Sequence, residues 1–116
     1  MKTRVRIVLL SCALGSWFFF GCAAGRRSEP LRGSLDVSNP KVAHGQVVFM
    51  NQCDKCHPGG DAGLGPSLNN KPLPGFLLGF QARHGMGAMP AFDKEELPQT
   101  DLDDVVAYLK ALRRNG

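Results

Sequence analysis

The amino-acid sequence predicts an all-α fold. Three stretches place apolar residues at spacings of three and four, which is the period of an amphipathic helix, and no strand pattern is evident. The 116 residues fit one small domain, and 14 glycines and 8 prolines indicate long loops between the helices.

The first predicted helix covers residues 41–52. Its small or apolar side chains share one face and are Val42, Gly45, Val48 and Phe49. Asn39 is the expected N-cap, and Pro40 takes the first helical position, where proline is favoured. A second, shorter helix is predicted over residues 76–83, bounded by a proline before it and a glycine after it.

The last predicted helix has the clearest pattern. Its apolar stripe consists of Leu102, Val105, Val106, Leu109 and Leu112, and Tyr108 widens it. Thr100 is the expected N-cap, with Asp103 three residues later in the place of the usual Glu of a capping box. Acidic residues in the first turn, and Arg113 and Arg114 at the end, suit the helix dipole.

The N-terminus has the pattern of a secretory signal. Lys2, Arg4 and Arg6 precede a run without charge from residue 7 to residue 25. The run includes Gly21-Cys22, which resembles the lipobox of bacterial lipoproteins, although Phe19 replaces the usual Leu. Cys22 is therefore the expected lipid anchor, and cleavage without acylation near Ala23 is the simpler alternative.

A retained N-terminal anchor is a further alternative, because the uncharged run is about long enough to span a membrane. Cys12 has a better local lipobox match than Cys22, but too few uncharged residues precede it for a signal. The predicted organisation is a signal over residues 1–22, a flexible tether over 23–38 and a folded domain over 39–114.

The charge of the chain lies largely in its signal. The formal net charge is +4, but three of the 14 basic residues precede Cys22, which leaves 11 against 10 acidic ones. This near-neutral domain has no stripe of Lys and Arg with interleaved aromatic residues, so the sequence excludes a nucleic-acid partner.

The strongest functional motif is Cys53-Asp54-Lys55-Cys56-His57. On a helical turn the first, fourth and fifth positions share a face, so two thiols and an imidazole point to the same side. This arrangement is typical of covalent haem c attachment, with thioethers to Cys53 and Cys56 and an axial nitrogen from His57. A dithiol redox pair or half of a zinc site is the alternative, although a zinc site needs a second pair of ligands.

A haem iron ligated by His57 needs a sixth ligand for a low-spin state. The sequence offers four candidates, which are His44, His84, Met86 and Met89. Met89 is favoured because Pro90 stiffens its loop and nearby glycines allow a close approach to the haem ring.

Residues 39–112 resemble, in order, a class I cytochrome c domain of the small bacterial monohaem type. The matching segments are Gly45-Gln46-Val47-Val48-Phe49, Cys53 to His57, Gly65-Pro66-Ser67-Leu68, Gly85 to Phe92 and Asp104 to Leu109. The resemblance implies a cytochrome c fold in which the terminal helices cross near Gly45, where a missing side chain allows close approach, around a covalent haem. It also implies that Met89 is the axial sulfur and that the Pro66 carbonyl accepts a hydrogen bond from His57.

The predicted function is electron transfer by one haem c in an exported, periplasmic and membrane-tethered protein that is not an enzyme. A donor and an acceptor protein are the expected partners of a monomer, with Lys55, Lys71, Arg83 and Lys94 as candidate charges around the haem edge. The alternatives are a haem subunit of one respiratory or dehydrogenase complex, and a ligand sensor or weak peroxidase with a labile sixth ligand.

Overall fold

The computed structural model describes residues 33–115. The signal, Cys12, Cys22 and most of the tether lie outside the described residues. The described part contains helices α1 (Pro40–Gln52), α2 (Gly75–His84) and α3 (Gln99–Asn115), and one short 3₁₀ turn, Pro58–Gly60. Within it there is no strand, only an isolated bridge between Met86 and Met89. The predicted all-α fold is confirmed.

Helix α1 begins as its sequence predicts. The side-chain oxygen of Asn39 accepts a hydrogen bond from the backbone N–H of Lys41 at 3.0 Å, and Pro40 is the first helical residue. At the other end, the backbone N–H of Cys53 donates to the carbonyl of Phe49 at 2.8 Å. The helix therefore delivers the chain directly into the cysteine motif.

Helices α1 and α3 cross at Gly45. A Cβ atom at this position would overlap the backbone carbonyl of Asp104, so the two helices approach each other through a missing side chain. One turn further along, the rings of Phe49 and Tyr108 lie 5.2 Å apart between centroids and are tilted by 52°. The sequence predicted this crossing and its position.

The core lies along this crossing and extends to the start of α3. Phe49 is completely buried, and it packs in a cluster with Val42, Val105, Tyr108, Leu109, Ala111 and Leu112. A second cluster of Ala82, Leu97 and Leu102 joins α2 to α3, with Met89 packed against it. Burial of these apolar side chains is the main stabilising term of the described fold.

Helix α3 begins earlier than its capping pattern predicts. It starts at Gln99, so Thr100 lies inside the first turn and the predicted N-cap at Thr100 is wrong. The backbone N–H of Leu102 donates to the carbonyl of Pro98 at 3.0 Å, which makes Pro98 the first acceptor of the helix. The carboxylate of Asp103 instead accepts a hydrogen bond from the side chain of Gln99 at 2.8 Å.

Helix α2 agrees with the prediction to within one residue at each end. It is followed by Gly85, whose φ of 69° is in the left-handed region, and the backbone N–H of Gly85 closes the helix on the carbonyl of Gln81. Among residues 33–115, no helix combines the length and the apolar character that crossing a membrane requires.

Candidate haem-binding site

The cysteine motif continues the helical path beyond the end of α1. The backbone N–H groups of Cys56 and His57 both donate to the carbonyl of Cys53, at 3.1 and 3.0 Å. The carboxylate of Asp54 accepts a hydrogen bond from the backbone N–H of Gly59 at 2.8 Å, which holds the chain as it leaves the motif. These contacts fix the spacing of the two thiols and the imidazole through the backbone.

The two thiols of the motif are half-buried and free of disulfide bonding. Burial raises the pKa of the Cys53 thiol to about 11, and the neighbouring Cys56 adds to the effect. Before haem attachment, the thiol is therefore protonated at neutral pH. A nucleophilic dithiol redox site needs the opposite shift, since its reactive form is the thiolate.

His57 is buried and oriented by the loop that follows it. Only 5% of its surface is exposed, and its Nδ1 lies 2.8 Å from the carbonyl oxygen of Pro66. When Nδ1 donates to this carbonyl, the remaining lone pair of the imidazole is on Nε2. A histidine held in this way is a typical metal ligand, because the contact fixes both the tautomer and the ring plane.

Gly65 provides the space that the imidazole ring occupies. A Cβ atom at this position would overlap Cε1 of His57 and would lie 2.8 Å from Nε2 and 2.9 Å from Nδ1. The backbone N–H of Gly65 also donates to the carbonyl of Cys56 at 2.9 Å, which folds the loop back over the motif. The donor set and this close approach fit an axial imidazole, and the paired thiols fit the attachment of haem c.

A polar network that the sequence analysis missed closes the same loop. The backbone N–H groups of Leu68 and Asn69 donate to the carbonyl of Gly60 at 2.8 and 3.1 Å. The hydroxyl of Ser67 donates to the side-chain oxygen of Asn69, whose amide donates to the carboxylate of Asp61. Side chains of this type near Gly and Pro indicate turns, but their partners depend on the folded loop.

The methionine loop, residues 85–92, places its two methionine side chains in different environments. Met86 and Met89 exchange two backbone hydrogen bonds of 3.1 and 3.0 Å, and Gly85 and Gly87 make the turns with φ of 69° and 60°. The side chain of Met86 is 62% exposed, whereas Met89 is partly buried against the cluster at the start of α3. Met89 is therefore the methionine that the fold holds in place.

The two remaining ligand candidates have other partners. Nδ1 of His44 lies 3.0 Å from the carboxylate of Asp104, across the crossing of α1 and α3. Nδ1 of His84 lies 2.9 Å from the carbonyl of Phe80, and the two rings stack with centroids 4.0 Å apart. Within residues 33–115, no three His, Cys, Asp or Glu side chains form a cluster able to hold a metal ion.

Large apolar side chains are exposed in the segments that follow the cysteine motif. They are Leu64, Phe76, Phe80 and Met86, of which Leu64 is 88% exposed. Arg83 is one of the four basic residues expected around a haem edge, but its contacts lie within the domain. Its guanidinium binds backbone carbonyls within the domain.

These features together define a c-type cytochrome domain: an all-α fold, a Cys-x-x-Cys-His motif at the end of the first helix, and a buried histidine held by a loop carbonyl. Residues 40–109 match the family described as cytochrome c oxidase, cbb3-type, subunit III, and the chain belongs to this family of cytochrome c domains. It accordingly carries one covalently bound haem c, with Cys53 and Cys56 in the attachment motif.

Several characterised proteins are similar to the chain. A cytochrome c6 of Synechocystis is 34% identical over 59% of this chain and 62% of its own length. A cytochrome c6 of Bryopsis maxima is 36% identical over 56% of this chain and 84% of its own length. The cytochrome c subunit of a 4-cresol dehydrogenase from Pseudomonas putida is 32% identical over 59% of each. The chain thus spans less than two thirds of the Synechocystis protein.

Proposed function

We propose that the protein is an electron carrier with one haem c, ligated by His57 and Met89. The contact that carries the proposal is the one between Nδ1 of His57 and the carbonyl of Pro66 at 2.8 Å, since it leaves Nε2 for an iron. Haem c supplies reversible one-electron exchange between ferrous and ferric iron. His57 and Met89 would both be ligands of the iron, so the proposed role is electron transfer without an enzymatic activity of its own.

Met89 is the proposed sulfur ligand because its loop is anchored and its side chain is partly buried. Met86 lies in the same loop, but 62% of it is exposed. A thioether ligand favours ferrous iron and therefore raises the reduction potential relative to a second imidazole.

The test compares two methionine variants of the full chain matured with haem. Covalent haem is first established from the pyridine haemochrome spectrum after acid–acetone extraction, where the colour must stay with the polypeptide. The ferric spectrum of Met89→Ala is then expected to lack the weak sulfur-to-iron band, whereas Met86→Ala retains it. Retention of the band in Met89→Ala would refute the ligand assignment, and a colourless protein would refute the proposed function.

Carbon monoxide binding separates electron transfer from ligand sensing or peroxidase activity. A carrier with a stable sixth ligand binds carbon monoxide poorly at neutral pH in the ferrous state. Rapid and complete binding by the unmodified protein would indicate a labile sixth ligand and favour the sensor or peroxidase alternative.

A second candidate role is that of a haem subunit in one specific oxidoreductase complex. Its support is the similarity to the cytochrome c subunit of a 4-cresol dehydrogenase, at 32% identity. Co-purification of the native protein with one stable partner enzyme would favour this role, and isolation as a monomer that reacts with separate donor and acceptor proteins would favour a carrier.

The proposed location is the periplasmic side of a membrane, with the mature chain attached through acylated Cys22. The proposal rests on the basic residues, the uncharged run and the Gly21-Cys22 pair. Mass spectrometry of the mature N-terminus tests it. A lipid-modified Cys22 is expected, and an unmodified terminus near Ala23 or an intact Met1 would refute acylation.

A further inference from the structure

We propose that Arg83 is a positioning residue for the axial sulfur, because it fastens the end of the loop that carries Met89. The inference rests on the proposed function, in which Met89 is the ligand. Arg83 lies in the last turn of α2, just before this loop begins at Gly85.

The guanidinium of Arg83 binds the chain where the loop ends. Its Nη1 donates to the backbone carbonyls of Phe92 at 3.1 Å and Asp93 at 2.8 Å. Its Nη2 donates to the side-chain oxygen of Gln99 at 3.2 Å. One side chain from α2 thus holds both the exit of the loop and the first residue of α3.

The backbone closes the loop at the same place. The N–H of Phe92 donates to the carbonyl of Ala82 at 2.9 Å, next to Arg83 in α2. Residues 84–91, which lie between these contacts, form a loop that is closed at its base and includes Met89. Since hydrogen bonds from a charged group are stronger than neutral ones, Arg83 contributes more to this closure than the single backbone bond.

The burial of the Arg83 side chain supports a role inside the domain. Its Nε is buried and has no hydrogen-bond partner, which costs free energy. The contacts of Nη1 and Nη2 offset this cost. A lysine can replace the arrangement only in part, because it presents one compact ammonium group instead of a planar fork.

Fastening the loop determines how firmly the sulfur competes with other ligands. A thioether bound to iron can be displaced by an added base when its loop opens. The apparent affinity for the added base increases with the fraction of molecules in the open state. Loss of Arg83 is therefore expected to raise that fraction while leaving Met89 itself intact.

Arg113 supplies a matched control. Its Nη1 also donates to two backbone carbonyls, those of Lys71 at 2.8 Å and Leu73 at 3.0 Å, in a segment that does not contain Met89. Arg83→Met and Arg113→Met therefore each remove a guanidinium that donates to two backbone carbonyls, in two different loops. Both variants are expected to unfold at a lower temperature than the unmodified haem protein.

The deciding measurement is the titration of the ferric proteins with imidazole, followed through loss of the weak sulfur-to-iron band. Arg83→Met is expected to bind imidazole about tenfold more tightly than the unmodified protein, a factor equal to about 1.4 kcal/mol. Arg113→Met is expected to bind it as the unmodified protein does. Equal affinity in Arg83→Met and Arg113→Met would refute the positioning role.

If Arg83→Met does not form a folded protein with covalent haem, Arg83→Lys provides the test. It is expected to bind imidazole with intermediate affinity, because an ammonium group reaches these carbonyls without the fork geometry. An affinity equal to that of the unmodified protein would refute the inference. Failure of the ligand assignment is separately visible, since the band would then persist in Met89→Ala.

Discussion

A Cβ atom at Gly45 would overlap the backbone carbonyl of Asp104, so α1 and α3 touch at a position where only glycine fits. The next turn of α1 brings Phe49 against Tyr108, with ring centroids 5.2 Å apart. The close crossing therefore sets the distance at which the largest side chains of the core pack. It also fixes the end of α1, from which the cysteine motif continues.

Gly45→Ala is expected to destabilise the haem protein by about 3 kcal/mol, the upper end for an overpacked core, because backbone atoms and not a flexible side chain must move. Denaturant unfolding of the ferric protein measures the change. Gly79→Ala in α2 is the matched control, since its new Cβ would lie 3.8 Å from Leu102 in ordinary contact. The free energy of unfolding of this control is expected to rise by about 0.4–1 kcal/mol. Equal effects of the two variants would contradict the steric account.

Gly65→Ala is expected to displace the imidazole of His57, because the added methyl group would occupy the space of the ring. The contact of His57 with Pro66 should weaken, and the free energy of unfolding should fall by about 1–3 kcal/mol. The measurements are the yield of covalent haem and the low-spin fraction in the ferric spectrum. Ala62→Ser is the control, because Ala62 is exposed in the same loop. An unchanged low-spin fraction in Gly65→Ala would contradict the prediction.

Local signals explain what the sequence predicted correctly. The N-cap at Asn39 and the helix stop at Gly85 depend on the residue and its immediate neighbours. The crossing at Gly45 was predictable because it follows from the resemblance to a known family and from a small residue on an apolar face. The attachment motif is local as well.

Contacts set by the folded loops were not predictable in the same way. Thr100 and Asp103 have the spacing of a capping box, but Pro98 already provides the first carbonyl acceptor and the helix begins at Gln99. In the sequence, Arg83 has the character of a charged surface residue. Its partners are carbonyls that reach it only when the methionine loop has closed. No sequence pattern specifies a backbone acceptor nine or ten residues away.

Removal of the haem is expected to leave the chain largely unfolded. Ten hydrophobic side chains of the described residues are buried, while Leu64 and Phe76 are among the large apolar ones exposed to water. Domains of this size commonly need a cofactor, a metal ion or disulfide bonds in addition to their core. Cys53→Ser/Cys56→Ser and the unmodified chain made without haem attachment should both lose most of their helical circular dichroism. Cooperative thermal unfolding of either protein from a helical state would contradict the expectation.

Tyr108 is expected to make the folded protein sensitive to high pH. Burial raises the pKa of its hydroxyl above the ordinary 10.0, a hydrogen bond with Gln46 opposes the shift, and the charge of Asp54 adds to it. A raised pKa in the folded state means that the folded protein holds this proton more tightly than the unfolded chain. The contribution to stability is complete below pH 10.0 and is lost as the pH rises through the higher folded value.

Tyr108→Phe tests this pH dependence, because it keeps the ring beside Phe49 and removes only the titrating hydroxyl. At neutral pH the free energy of unfolding of the variant should be lower by about 0.5–1.5 kcal/mol, the usual contribution of one hydrogen bond. Above pH 10.0 its free energy of unfolding should fall less steeply than that of the unmodified protein, so the two curves converge. Denaturant unfolding of both haem proteins at a series of pH values gives the curves. Because all other titrating groups are shared, parallel curves above pH 10.0 would contradict the role of Tyr108.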